Sequence, residues 1–264
     1  MGVTVTILGS GSAGNCTLIE TETTALLIDV GLSGRQINDR LAQLGRHLTD
    51  LDAIVLTHEH GDHTRALPVL CKQHRLPVYA NRLTAEAITD ELQSELLIAW
   101  HLFTSGTPFS IGDLVIEPFP VPHDACDPVN FLIRHQSHAI GILTDLGHVT
   151  RLVVERVRAA NLLILEANHD VRLLQNDTAR PWSIKQRILS RHGHLSNEAA
   201  ASLAGEIAGE HLHHVFLAHL SRDCNRPELA TRAVGEQLYR RGARHIRLTV
   251  ATQDAPTTPV TLGT

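Results

Sequence analysis

Lysine is almost missing from this chain. Of its 23 positive residues only Lys72 and Lys185 are lysine, and the rest are arginine. Arginine's planar fork suits bidentate contacts to phosphate; a genomic base composition that favours arginine explains the excess equally well. Cysteine is scarce too: Cys16, Cys71, Cys126 and Cys224 lie far apart and form no Cys-x-x-Cys pair. That spacing argues against a thiolate zinc knot and a disulfide framework, and it fits a reducing cytoplasm. No run is long and apolar enough to cross a bilayer, and Val3-Thr4-Val5-Thr6-Ile7-Leu8 reads as a strand, not a secretion signal. The expectation is a cytoplasmic protein with no membrane partner. A net charge of −5 does not advertise a nucleic-acid binder. Two local basic groups stand against it, Arg180, Lys185, Arg187 and Arg191, and then Arg240, Arg241, Arg244 and Arg247.

What is present is a large apolar fraction, 43% of 264 residues, ample for one core. No repeat or linker divides the chain, so one α/β domain is expected over 1–251, followed by a loose Pro- and Thr-rich tail over 252–264. Extended runs are expected at 3–8, 16–20, 25–29, 53–57, 77–80, 161–166, 214–218 and 245–251. Helices are expected from Ser33 to Gly45, after the 53–57 strand to about Arg75, and from Thr84 to about Leu97. Three more are expected at 183–191, 197–209 and 227–241. Residues 108–145 lack a helical period and read as three strands. Gly9-Ser10-Gly11-Ser12-Ala13-Gly14 matches Gly-x-Gly-x-x-Gly, with Asp29 twenty residues after Gly9. Its context is wrong for a dinucleotide site, because β-rich Cys16–Glu20 follows where a helix should open. The loop reads instead as a tight connection in a β-meander, with backbone N–H groups that can meet an anion.

The most informative segment is Thr57-His58-Glu59-His60-Gly61-Asp62-His63-Thr64, directly after the apolar run Ala53–Leu56. A buried strand ending in this cluster presents several metal ligands from one rigid edge. Imidazole nitrogen and carboxylate oxygen suit zinc, manganese or iron. Four such groups are too many for one open ion held by so short a loop. Two ions fit better, with His58 and His60 on one, and Asp62 and His63 on the other.

His-x-His-x-Asp-His after a strand resembles the hallmark of the metallo-β-lactamase-fold hydrolases. That resemblance implies a four-layer αββα sandwich with the metals at one edge of paired sheets. It also implies the remaining ligands: His123 for the first metal, Asp145 bridging both ions, and His219 for the second. Asp29 matches an acidic position that supports the ligand loop from behind. Gly9–Cys16, Leu165–Asp170, Gly193–Asn197 and the stretch from His219 through Asn225 further resemble the WalJ/YycJ-type branch of bacterial 5′-to-3′ exonucleases, which act on double-stranded DNA. The order Asp145, Glu166, His194, His219 is similar to that of tRNA 3′-processing endonucleases of the same fold. There an acidic residue and a histidine beside the metals assist phosphodiester cleavage.

The chemistry so implied is hydrolysis by a hydroxide bridging two divalent ions, with Asp62, Glu166 and His194 as catalytic candidates. Ser196 is expected to cap the 197–209 helix and aim its amides at phosphate, with Asn197, Ser221 and Asn225 as further substrate contacts. His169 and Asp170 belong to the same region without an assigned role. The leading expectation is a dimetal phosphodiesterase on nucleic acid, a DNA exonuclease acting on double-stranded ends. A small-molecule hydrolase of the same fold, for a thioester, lactone or cyclic phosphate, is the alternative. A non-catalytic metal-stabilised domain is the third class, and the ligand set is too complete to favour it.

Overall fold

The computed structural model describes residues 2–92 and 97–263. Its first half runs β1 (Val3–Gly9), β2 (Cys16–Glu20), β3 (Ala25–Ile28), α1 (Gly34–Gln43), β4 (Ala53–Val55), α2 (Gly61–Thr64), α3 (Leu67–His74), β5 (Val78–Asn81), α4 (Arg82–Leu92) and β6 (Trp100–Phe103). The second runs β7 (Phe109–Ile111), β8 (Leu114–Pro120), β9 (Val129–His135), β10 (His138–Leu143), α5 (Arg151–Val157), β11 (Leu162–Glu166), α6 (Val171–Asn176), α7 (Trp182–Leu189), α8 (Asn197–Ile207), β12 (His214–Ala218), α9 (Pro227–Arg240), β13 (Arg247–Val250) and β14 (Val260–Leu262). Two seven-stranded sheets result, ordered β14-β1-β2-β3-β4-β5-β6 and β13-β12-β11-β10-β9-β8-β7. Each joins an antiparallel meander to parallel strands linked by helical crossovers.

The strands are apolar on both faces because each sheet is covered on both sides. Successive side chains of a strand point to opposite faces. Leu26 and Ile28 of β3 therefore join the core between the sheets, where they share a cluster with Phe131, Ile142, Ile164 and Phe216. Leu27 faces the other way, into a cluster with Ile37 and Leu41 of α1 and with Leu67 and Leu70 of α3. In β12, Phe216 joins the inter-sheet core, while Val215 and Leu217 pack with α5, α8 and α9 through Val153, Leu203 and Val234. Three apolar interfaces between four layers make an αββα sandwich.

Several local expectations change. Four strands, β7 to β10, occupy the 108–145 region, because Gly112 and the Gln136–Ser137 turn each close a hairpin. The helix expected to reach Arg75 is two helices, α2 and α3, interrupted at Arg65–Ala66 where the chain leaves the ligand loop. Helices α5 and α6 were not anticipated. The helix expected from Thr84 to about Leu97 starts at Arg82 and is described as far as Leu92; residues 93–96 lie outside the described residues, and Leu97 is not helical.

The tail is the larger correction. Residues 252–263 are not loose: β14 pairs antiparallel with β1, Val3 opposite Leu262, and Thr257 donates its N–H to Ile7 O at 2.9 Å. Pro256 and Pro259 hide this from the sequence, since proline is compatible only with a short edge strand. Gln253 reaches the glycine loop, accepting from Ala13 N at 3.0 Å and donating to Gly14 O at 2.7 Å. Arg40, only 6% exposed, ties α1 to both segments by donating to Leu8 O at 2.6 Å and Gln253 O at 2.9 Å. Arg40→Met keeps the apolar stem and removes both charged hydrogen bonds, so it should cost about 2–4 kcal/mol. That corresponds to a fall in melting temperature of roughly 5–15 °C. An unchanged melting temperature in a thermal scan would show that Gln253 and Leu8 are held without it.

Candidate metal centre

Every candidate ligand lies just beyond the C-terminal end of a strand at the shared edge of the two sheets. His58 to His63 follow β4, His123 follows β8, Asp145 follows β10 and His219 follows β12. Three residues here have left-handed backbones: Asp29 (φ 58°), Asp145 (φ 55°) and His219 (φ 56°). Such a conformation is uncommon for residues with a Cβ and is held only where the surroundings over-determine it. Gly31 is required for close approach, because a Cβ there would lie 1.6 Å from Asp62 O.

The ring nitrogens are oriented from behind. His63 Nδ1 lies 2.7 Å from Asp29 Oδ2, and Asp29 also accepts from Thr57 N and Thr57 Oγ1, both at 2.9 Å. His123 Nδ1 meets Gly193 O at 3.1 Å, and His219 Nδ1 meets Glu166 Oε1 at 2.9 Å. With Nδ1–H donated to these oxygens, Nε2 of each ring is left as a lone pair directed at the centre. This is how a ligating imidazole is commonly fixed. His58 Nε2 lies 3.1 Å from His60 Nδ1.

Four overlapping groups have donor atoms within 4.8 Å of one another: the triads His58, His60, His123 and Asp62, His63, His219, a third that joins His58 and His63 to Asp145, and a fourth that joins Asp145 and His219 to Glu166 and His194. The carboxylate of Asp145 stands between the two triads. Its Oδ2 is 2.9 Å from His63 Nε2, and its Oδ1 is 3.7 Å from both His123 Nε2 and His219 Nε2. His123 Nε2 is buried with no hydrogen-bond partner among the described residues. A buried polar atom left so is costly, and here it lies 3.7 Å from Asp145 Oδ1 in a cluster of donors suited to divalent cations. The residues fit a metal centre.

Electrostatics agree. Burial alone would raise the Asp145 pKa, but the imidazoles of His219, His63 and His123 outweigh it and hold the carboxyl well below its usual range. Burial and neighbouring histidines keep His58 from charging. For His63 and His219 burial acts the same way but loses to the surrounding carboxylates, and both are pushed well above the usual histidine value.

Glu166 is fully buried and bound on all sides. Oε2 accepts from Leu146 N at 3.0 Å and Leu195 N at 2.9 Å, while Oε1 faces His194 Nδ1 at 2.8 Å and His219 Nδ1. Its pKa falls to about 2, because those histidines overcome the burial that opposes ionisation. Both of its oxygens are taken by protein groups, which fits positioning rather than contact with substrate. His194 is different: its side chain is 17% exposed and lines a cleft of about 550 Å³ beside the centre. Burial lowers its pKa, but Glu166 outweighs that and the net shift is upward.

The four expected substrate contacts are engaged elsewhere. The amides of Asn197 and Asn225, 1% and 2% exposed, hydrogen-bond each other reciprocally at 2.9 Å. Asn225 also donates to Ala167 O at 2.7 Å. Ser221 Oγ accepts from Cys224 N at 3.2 Å. Ser196 does cap α8, accepting from Ala199 N at 3.2 Å, but this and the bond from Asn197 N to His169 O occupy the amides meant for phosphate. Ser196 lines the cleft beside His194, Ser221 and Asn225 line a separate cavity of about 270 Å³, and Asn197 is buried. The glycine loop is also spent internally, with Gly11 N on Asn15 Oδ1 and Gly14 N on Gly11 O, and no helix follows it. It braces the centre instead: Ser10 Oγ accepts from His219 N at 2.8 Å, and Asn15 N donates to Asp62 O at 2.8 Å.

Asn15, Asn168 and Asp124 were missed as supports. Asn168 donates to His219 O at 2.9 Å, and Asp124 pairs with Arg187 and lies 3.4 Å from His123 Nε2. Asp124 follows His123 directly, a signal that was available. Of the first basic group, Arg180 pairs with Asp177 and Asp223, and Lys185 donates to Gln175 O. Asp29→Asn suits the left-handed backbone while removing the charge behind His63. Metal affinity should fall about 10–100-fold; competition with a chelating dye reads it, and an unchanged affinity would mean that Asp29 does not set the His63 ring.

Residues 24–220 match the family model described as a β-lactamase superfamily domain. The chain is 36% identical to exodeoxyribonuclease YycJ of Bacillus anthracis over 242 residues, 92% of this chain and 91% of that one. It is 38% identical to exodeoxyribonuclease WalJ of Streptococcus pneumoniae serotype 2 over 240 residues, 90% and 89% of the two chains. Among solved structures, the metallo-β-lactamase fold protein YhfI of Bacillus subtilis superposes with a TM-score of 0.73 at 18% identity, covering 99% of this chain and 100% of that one. Family, fold and clustered donors together imply divalent metal ions. On this evidence the chain belongs to the metallo-β-lactamase superfamily.

Proposed function

We propose that this protein is a metal-dependent phosphodiesterase acting on nucleic acid, a 5′-to-3′ exonuclease that degrades DNA from double-stranded ends. The observation that carries this reading is His194. It stands outside both donor triads, at the mouth of a cleft, with Nδ1 held by the buried Glu166 carboxylate. A thioesterase, whose thiolate departs without a proton, has no evident use for such a group, whereas the alkoxide leaving a phosphodiester needs one. The two relatives similar over nine-tenths of the chain are both named exodeoxyribonucleases.

Two ions are proposed, zinc or manganese, with iron as a further candidate. His58, His60 and His123 would hold one and Asp62, His63 and His219 the other, with Asp145 shared. When bound, such ions supply an acidified water as nucleophile and positive charge for the phosphoryl oxygens. The chain's own residues do the rest. Asp29, Gly193 O and Glu166 keep three rings in the tautomer that points Nε2 inward. Glu166 keeps His194 protonated, and His194 gives that proton to the leaving oxygen.

The test is an assay of the metal-loaded chain on duplex DNA with 5′-phosphate or 5′-hydroxyl ends, single-stranded DNA, RNA and a thioester. Duplex DNA shortened from its 5′ end is expected, with binding that weakens as salt rises because basic side chains displace counterions. Turnover of the thioester alone would reject the nuclease reading.

A further inference from the structure

The cleft beside His194 is built for something other than an anion. Its wall is apolar through Val149, Val154, Leu195 and Leu203. Besides His194, its charged members, Arg151 and Glu206, are opposite in sign. Two of the first three amides of α8, Ala199 N and Asn197 N, are already bonded to Ser196 Oγ and His169 O. His148, a further lining residue, is engaged at both ring nitrogens by Arg191.

His169 is the exception. It lines the cleft, is 1% exposed, and its Nδ1 has no hydrogen-bond partner among the described residues. It belongs to neither donor triad. Burial lowers its pKa to about 4, so near neutral pH the ring is uncharged and carries one donor and one acceptor nitrogen. A flat, uncharged ligand with donors and acceptors on its edge answers both the apolar wall and the unpaired ring. A volume of about 550 Å³ lies within the range of pockets that take small organic groups.

We propose that this cleft receives a nucleobase: the base of a nucleotide adjoining the cleaved phosphodiester leaves the stack, lies on the apolar wall and hydrogen-bonds His169. The inference rests on the nuclease reading and goes past it, because the phosphodiester itself needs only the metal centre and His194. Taking a base out of a duplex is least costly at a frayed end, which suits an enzyme that starts there.

The test uses the metal-loaded full chain and duplexes carrying one tetrahydrofuran abasic residue, at either the first or the second 5′ nucleotide. Loss of the base at one of these positions should lower kcat/KM about 10–100-fold, the size of one lost base-stacking contact. Ser202 lies exposed on α8 at the cleft. Ser202→Phe fills the space from the rim, and the ratio of normal to abasic kcat/KM should fall towards one. His169→Phe keeps a flat ring without edge nitrogens and should lower that ratio several-fold. As a reading independent of these variants, 2-aminopurine at the sensitive position should brighten when the wild-type chain binds, because it leaves the stack. Equal rates for normal and abasic duplexes at both positions would overturn the base pocket while leaving the nuclease reading intact. A rate set by the 5′-phosphate and indifferent to the base would assign the cleft to phosphate and overturn it too. A wild type that cuts no DNA would reject both readings.

Discussion

His194→Ala is expected to slow hydrolysis of duplex DNA by about 10²–10⁴-fold, the range of a lost general acid, while the metal content of the chain stays the same. The separation follows from the geometry. His194 is held by Glu166 but is in neither donor triad, and after its removal Glu166 still has Leu146 N, Leu195 N and His219 Nδ1 as partners. His219 therefore keeps its orientation. A pH profile adds a second readout. Glu166 raises the His194 pKa above the usual histidine value despite the opposing effect of burial. The proton-donating form is thus present at neutral pH and is lost as pH rises through that raised value. Wild-type kcat/KM should fall on the alkaline side, and the limb due to His194 should be absent in the alanine variant. Cleavage at the wild-type rate with an unaltered profile would reduce His194 to a structural role.

Asp145→Ala should have the other large effect. Among the described residues, Asp145 is the carboxylate whose oxygens come close to histidines of both triads. Without it the chain should retain at most one ion where the wild type retains two, and activity should drop on the order of 10⁴-fold or more, as when one member of a catalytic unit is removed. Elemental analysis after reconstitution decides this, and a wild type holding one ion or fewer would sink the two-ion proposal. The same cluster gives metal affinity a pH dependence. In the metal-free chain the carboxylates around His63 and His219 hold their pKa values well above the ordinary one, against the effect of burial. A metal must displace those protons, so affinity should rise with pH until both rings are neutral.

The centre was legible from the sequence to an unusual degree. Its largest part, His58 to His63, is one contiguous loop, so spacing alone brought the donors together. His123, Asp145 and His219 came through resemblance, and the fold does bring all three to that loop. The assignments that changed are those of residues whose side chains choose among several neighbours. Asn197 and Asn225 are 28 positions apart, and nothing local reveals that each satisfies the other's amide. Glu166 was singled out as an acid beside the metals, but only the packing of β11 against two loops shows it buried and bound to four groups. The tail was misread because three strand residues directly after two prolines carry no periodic signal, and pairing with β1 is a contact over more than 250 positions.

By itself, then, the sequence determined what local order can encode. Alternating strand and helix patterns called for one α/β domain, a capping serine and a glycine bounded α1, and a strand ending in His-x-His-x-Asp-His defined a metal-binding edge. Only the tertiary structure decided which groups stand behind the candidate ligands. It set Asp29 behind His63, turned the Gly9–Gly14 loop into a brace for His219, and left the His169 ring unpaired in a cleft. Those outcomes depend on which distant groups reach each polar atom first. Burial makes an unsatisfied donor or acceptor costly, and that penalty is settled over the whole packed molecule rather than along any one stretch of chain.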